Sequence, residues 1–134
     1  MSAYVVDNSV WWKARKFAGI ASRLREVATR DLILTCPPQV LEYCFSARNA
    51  AEHDELMSDM QLFFPADVHP SGRDVLRVQS ALWKGGYVRG AGAIDTAIAS
   101  YAIANDAIVL SADRDYEHIA AVVPEFRLEY LPER

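Results

Sequence analysis

The sequence predicts an α/β fold: a short parallel sheet of about four to five strands sandwiched between helices. Short, continuous apolar runs (YVV at residues 4–6, LILT inside 31–36, AIVL at 107–110) read as strands covered on both faces. Helix-patterned stretches separate them, the order that a parallel sheet with helical crossovers requires. The third observation is chemical. Acidic residues follow the first and the AIVL strands, Asp7 in one case and Asp113 and Asp115 in the other, and in open parallel sheets ligands bind outside the carboxyl ends of the strands.

After the first strand a helix is expected over residues 10–17, with Gly19 interrupting it before a second over 20–28. Pro37 and Pro38 close the LILT strand and suit a helix's first turn, where a missing N–H costs nothing. That helix should bury Val40, Leu41, Cys44 and Phe45, leaving Glu42 on another face. A further helix is expected over 50–60, with Leu56, Met57 and Met60 apolar, and a short third strand over 66–69. Ser71 is the expected N-cap of a helix that buries Val75, Val78, Leu82 and Trp83 and stops at Gly85 and Gly86. The central helix follows, with Ile94, Ile98, Tyr101 and Ala102 on one face and small alanines that permit close approach to the sheet. Asn105 and Asp106 turn the chain into AIVL. A short helix over 116–122, a break at Pro124 and a final strand over 126–131 complete the order.

Composition narrows the possibilities. A chain of 134 residues, 51% of them apolar, reads as one domain over residues 1–134. The net charge of −4 argues against broad electrostatic binding to nucleic acid, although cations bound in an acidic site would invert the charge locally. Cys36 and Cys44 fit no metal or redox spacing and read as reduced thiols. With no membrane-length apolar run and no signal-peptide pattern, a cytoplasmic protein is expected.

The acidic positions are weak individually. Asp7 suits a helix N-cap, Glu42 a solvated helix face, Asp95 a helix first turn, and Asp113 with Asp115 a charged turn. Their joint placement at strand ends is more specific. Hard oxygen donors suit Mg2+ or Mn2+ better than histidine or thiolate would, and the cation would offset the mutual repulsion of the carboxylates. His53, His69 and His118 show no ligand spacing.

The blocks YVVDNS, PPQVLEYCFSAR and GAIDTAIASYAIANDAIVLSADRDY together resemble the PIN-domain ribonucleases, most of all the toxin of VapBC-type toxin–antitoxin pairs. The resemblance implies a PIN-like three-layer fold and a metal-dependent endoribonuclease that cuts RNA, inhibits translation and is silenced by a cognate antitoxin. It matches Asp7, Glu42, Asp95 and Asp113 to the family's acidic positions, with Asp115 beside them and Ser9 at the family's Ser/Thr position. In that reading Asp7, Asp95, Asp113 and Asp115 hold Mg2+, with Mn2+ as a substitute. Glu42 activates water, and Ser9 and Ser111 support the carboxylates. Ser111 stands where the family often has Thr, and Tyr116 where Phe is frequent. Arg89, Arg114 and Lys84 are candidate RNA phosphate contacts. A homodimer, or a heterotetramer or larger assembly with antitoxin, is the expected state, and residues 50–90 carry no family signature.

Other readings lack parts. A haloacid-dehalogenase-like phosphatase needs a second aspartate where Ser9 stands, a receiver domain needs a late-strand lysine, and a dinucleotide site needs glycines that DNSVWW does not offer. A catalytically inactive PIN-like binding module would tolerate loss of an acidic position, yet all four are filled.

Overall fold

The computed structural model describes residues 1–134. Five strands, β1 (Ala3–Val6), β2 (Leu32–Thr35), β3 (Phe64–Pro65), β4 (Ile108–Ser111) and β5 (Arg127–Tyr130), form one sheet in the order β3-β2-β1-β4-β5. Every pairing is parallel. Seven helices accompany them: α1 (Asn8–Lys13), α2 (Ala18–Arg30), α3 (Pro37–Cys44), α4 (Ala50–Met60), α5 (Gly72–Lys84), α6 (Ala93–Ala104) and α7 (Asp115–Val122).

The sheet is covered on both sides because its central strands alternate apolar residues between two cores. Tyr4 and Val6 of β1 pack with Val10, Ile20, Val27 and Ile33 beneath α1 and α2. Val5 packs instead with Val78, Leu82, Ile98, Ala102, Val109 and Ile119 beneath α5, α6 and α7. Full burial of each such side chain contributes about 1.5–3 kcal/mol, so a one-residue slip of β1 would misplace both cores at once. The chain runs outward from β1 to β2 and β3, then returns to place β4 on the other side of β1. The strand order therefore reverses between β1 and β4, which is where parallel sheets open a crevice at their carboxyl ends.

Several expected boundaries and burial patterns are corrected. The third strand is the two-residue edge at Phe64–Pro65 rather than 66–69, paired to Leu34 and Thr35. The break after the first helix falls at residues 14–17, and Gly19 lies inside α2. There Gly19 donates its N–H to the Arg134 carbonyl at 2.8 Å, and a Cβ would stand 3.0 Å from that oxygen, so the glycine serves close approach rather than helix breaking. On α3, Leu41 and Phe45 are exposed while Pro38, Gln39 and Cys44 are buried, because only one narrow face of this eight-residue helix meets the rest of the fold. Met57, Trp83 and Ile94 are likewise exposed, and Tyr101 is half-buried.

Other expectations hold. Ser71 caps α5 reciprocally with Asp74, both hydrogen bonds being 3.1 Å. Gly85 ends that helix where a Cβ would meet Val122 Cγ1 at 2.4 Å, and Gly86 takes the left-handed φ of 86°. No helix is long and apolar enough to cross a membrane.

Candidate active site

Five elements deliver carboxylates to the β1/β4 crevice. Asp7 directly follows β1, and its backbone N–H extends the ladder to Leu110 O at 2.9 Å. Asp113 follows β4, and Asp115 opens α7. Asp95 sits in the first turn of α6, whose small residues let it lie close to the sheet, and α3 turns Glu42 inward. Ligand oxygens of Asp7, Glu42 and Asp95 all lie within 4.8 Å of one another, and so do those of Asp95, Asp113 and Asp115. Asp95 belongs to both trios. The sequence reading therefore named five carboxylates that the fold brings together.

The hydroxyl groups around Asp7 fix its orientation. Asp7 Oδ2 accepts from the Ser9 N–H at 3.1 Å, from Ser9 Oγ, and from Ser111 Oγ at 3.4 Å. Its other oxygen accepts from the Tyr116 hydroxyl at 3.0 Å. Ser9 Oγ in turn receives the Ala112 N–H, and Ser111 Oγ the Asp113 N–H, both at 3.0 Å. Asp113 Oδ1 accepts the Asp115 N–H at 2.9 Å. Asp7 is thus an N-cap of α1 and a member of the cluster simultaneously, since capping uses one oxygen and leaves the other turned inward.

No lysine or arginine forms an ion pair with any of these five carboxylates. Burial, then the charges of Asp7, Glu42 and Asp113, push the Asp95 carboxyl up to about 7. Burial, Asp7 and Asp113 raise Glu42 in the same direction. Tyr116 is held well above its usual value by burial and by Asp7 and Asp95, which keeps its hydroxyl a proton donor. Like charges buried at Asp7, half-buried at Glu42, Asp95 and Asp113 and exposed at Asp115, without a cationic side chain, are a donor set a hard divalent cation fits: oxygen only, convergent, and relieved of repulsion when the ion binds.

Among the other residues singled out from the sequence, Arg114 is exposed, lies over the Tyr130 ring at 4.9 Å and borders the same crevice as Asp113. Lys84 and Arg89 are exposed and form no ion pair, and nothing joins them to the carboxylates. Trp11 is half-buried against Phe63 and Tyr43, whereas Trp12 is 48% exposed beneath Arg15. Sequence reasoning missed two participants. The Tyr116 hydroxyl was noticed only as a departure from Phe, and Lys13, one helical turn beyond Ser9, donates to the Ala112 carbonyl at 2.9 Å. The four-residue spacing from Ser9 was the signal available for Lys13.

A parallel sheet whose carboxylates gather at its strand-order reversal defines an α/β protein with an oxygen-donor site at the carboxyl edge of its strands. No protein-family model matches the chain. It is 33% identical over 105 residues, 75% of its own length and 81% of the relative's, to Ribonuclease VapC6 of Mycobacterium tuberculosis (strain CDC 1551 / Oshkosh). The Ribonuclease VapC6 of strain ATCC 25618 / H37Rv matches to the same extent. The chain belongs to the VapC-type ribonucleases. Solved structures agree on the fold. VapBC2 from Rickettsia felis, bound to a promoter DNA fragment, aligns with a TM-score of 0.70 at 15% identity, covering 96% of this chain and 98% of that one. VapBC from Salmonella typhimurium, also DNA-bound, aligns at 0.66 and 17% identity, covering 97% and 98%. FitAcB from Neisseria gonorrhoeae aligns at 0.66 and 14%, covering 96% and 97%.

Proposed function

We propose that this VapC-type ribonuclease is a cytoplasmic, Mg2+-dependent endoribonuclease toxin that inhibits translation until a cognate antitoxin occupies it. The observation that carries the metal requirement is the double trio of carboxylate oxygens sharing Asp95, with no basic side chain to neutralise it. Asp7, Asp95, Asp113 and Asp115 would hold the ion, with Mn2+ able to replace Mg2+. When bound, a divalent cation polarises the scissile phosphate and neutralises charge on the leaving oxygen.

The chain's own residues supply the rest. Glu42, its carboxyl raised by burial and by Asp7 and Asp113, accepts a proton from the attacking water as the water oxygen bonds to phosphorus and the P–O bond to the ribose oxygen of the departing RNA segment breaks, that oxygen taking a proton from solvent. Ser9, Ser111 and Tyr116 hold Asp7 so that neither of its oxygens swings away from the crevice. The solved relatives are VapBC complexes, which supports an antitoxin partner. Exposed Trp12, Leu41 and Phe45 offer apolar surface to an antitoxin or a second copy, so a homodimer free of antitoxin and a heterotetramer or larger complex with it are the assemblies proposed.

The test is cleavage of RNA by the purified chain. Activity is expected with Mg2+ or Mn2+ and not in EDTA, and undiminished cleavage in excess EDTA overturns the metal reading.

A further inference from the structure

A groove of about 690 Å3 opens beside the carboxylates, and its wall includes Ser9, Lys13, Asp113, Arg114, Tyr130 and Glu133. It shares Ser9 and Asp113 with the site, so a strand of RNA with its scissile phosphate at the carboxylates extends naturally into it. The groove contains two cations. Lys13 lies on the face of α1 that carries Ser9, one turn or about 6 Å farther along the helix, and Arg114 lies against the Tyr130 ring with an exposed, loose contact to Glu117 at 3.5 Å. A different cavity of about 450 Å3, beside Trp11 and Trp12 with Arg15 and Arg48 on its wall, shares none of the five carboxylates.

Lys13 is held in a particular way. Its Nζ donates to the Ala112 carbonyl at 2.9 Å, which fixes the ammonium next to Asp113 in sequence, and it meets Glu133 Oε1 at 3.0 Å. An ammonium has three N–H donors, so one is left over. Glu133 is 55% exposed, and the segment carrying it is pinned on either side, by Leu131 N–H to Ser111 O and by Gly19 N–H to Arg134 O, both 2.8 Å. The arrangement is a positioned cation with a removable carboxylate upon it.

We propose that this groove seats the RNA backbone to one side of the scissile bond, with Lys13 and Arg114 contacting the neighbouring phosphate and Glu133 acting as an internal anion that this phosphate displaces from Lys13. This rests on the ribonuclease reading above and adds to it the location of the substrate strand. Backbone contacts of this kind position RNA without reading its sequence. Lys13 has no part in the bond-making step, so its effect falls on binding.

The experiment measures cleavage of a short single-stranded RNA in Mg2+ by the wild type and by Lys13→Met, Lys13→Arg and Glu133→Gln at several salt concentrations. Losing one phosphate contact should raise KM about three- to tenfold for Lys13→Met with kcat within about twofold, and should reduce the slope of log(kcat/KM) against log salt by about 0.7. Lys13→Arg should restore most of the loss. Glu133→Gln should lower KM by about twofold, because the competing anion is gone. Unchanged KM and salt slope in Lys13→Met and Glu133→Gln overturn the proposal, as does a rise in KM for both, which would mark the pair as structural. If Lys13→Met does not fold, Glu133→Gln decides alone, since its site is exposed. If the wild type cleaves no RNA, the ribonuclease reading fails by itself. Fluorescence anisotropy of the same RNA then decides the groove: tighter binding by Glu133→Gln and weaker binding by Lys13→Met uphold it, and equal affinities overturn it.

Discussion

Two carboxylate neighbourhoods lie at the sheet and differ in what accompanies the charge. Glu129 of β5 takes hydrogen bonds from Arg23 at 2.6 and 2.9 Å and from the Tyr4 hydroxyl at 3.3 Å. Its carboxyl is held below the usual value, first by the Arg23 hydrogen bonds and in spite of partial burial. In the β1/β4 crevice, Asp95 and Glu42 meet only other carboxylates and hydroxyls, and both are raised. The same functional group stabilises the fold in one place and strains it in the other. The repulsion at Asp95 and Glu42 has no cationic partner within the chain to offset it, whereas Glu129 has Arg23 and the Tyr4 hydroxyl.

The largest consequence of that difference concerns activity. Asp7→Asn or Asp95→Asn should lower kcat/KM by about a hundredfold or more, because each removes a negative ligand oxygen from the cation's position, while circular dichroism shows the fold retained. Near-normal cleavage by either variant would remove that residue from the site. Glu129→Gln should leave kcat/KM unchanged within about twofold, since Arg23 and Tyr4 hold it away from the crevice.

Next comes stability without metal. Carboxylates about 5 Å apart repel by about 3 kcal/mol at an effective dielectric near 20, before relaxation and screening reduce it. A first-turn aspartate gains only about 0.3–1 kcal/mol from the helix dipole. In EDTA near pH 8, Asp95→Asn should therefore melt at or above the wild-type temperature. Mg2+ at ten times its Kd should stabilise the wild type by about 1.4 kcal/mol and the variant much less. The pH dependence has a definite sign. Folded Asp95, raised from 3.8 to about 7, keeps its proton where the unfolded chain has lost it. Metal-free stability should then fall as pH rises from about 4 to about 7, by roughly 1–2 kcal/mol once solvent screening is allowed for, with Glu42 contributing in the same direction. Thermal melts of wild type and Asp95→Asn in EDTA across that range check this, and a difference between the two that does not change with pH would show that Asp95 is not held in a repulsive pocket.

Tyr116→Phe ranks below these. It leaves Asp7 Oδ1 without the donor 3.0 Å away, which in a buried site costs about 1.5–3 kcal/mol for a hydrogen bond to a charged group. In EDTA the variant should lose stability by that order, and part of the loss should disappear when Mg2+ binds, because the cation supplies Asp7 with a different partner. No loss in either condition would mean that Tyr116 acts only through its ring against Phe126, which phenylalanine keeps.

Much of this comparison was legible in the chain itself, for a physical reason. A strand buried on both faces must be a continuous apolar run, so YVV, LILT and AIVL stood out, and the acids after them had to fall at the carboxyl edge. Asp95 was legible because the helix that carries it is built from small residues. The two-residue β3 was not, since Phe64 and Pro65 are exposed and too few to show a period. The exposure of Leu41 and Phe45 was also hidden, because periodicity identifies a stripe but not whether anything packs upon it. The Tyr116 hydroxyl depends on a contact across 109 positions, which no local pattern encodes, and the spacing from Ser9 places Lys13 on a face without showing its contact 99 positions away. The Arg23–Glu129 pair, 106 positions apart, escaped notice in the same way.

That pair provides the smallest effect and the opposite sign. Both side chains are about one third exposed, so the bidentate contact is partly screened, and Glu129→Gln should cost about 1 kcal/mol near pH 7. Because the folded carboxyl lies below its usual value, its stabilising contribution is complete above the unfolded value of about 4.3 and is lost as pH falls through the folded one. The gap in melting temperature between wild type and Glu129→Gln should therefore be steady from pH 8 to about pH 5, narrow below about pH 4, and stay the same whether EDTA or Mg2+ is present. Asp95→Asn should do the reverse on each count: its melt should rise relative to wild type as pH increases, and that gain should shrink when Mg2+ is added. If the Glu129 gap instead responded to Mg2+, the ion would be reaching β5 as well as the crevice, and the division between a carboxylate that holds the fold and carboxylates that hold a cation would have to be redrawn.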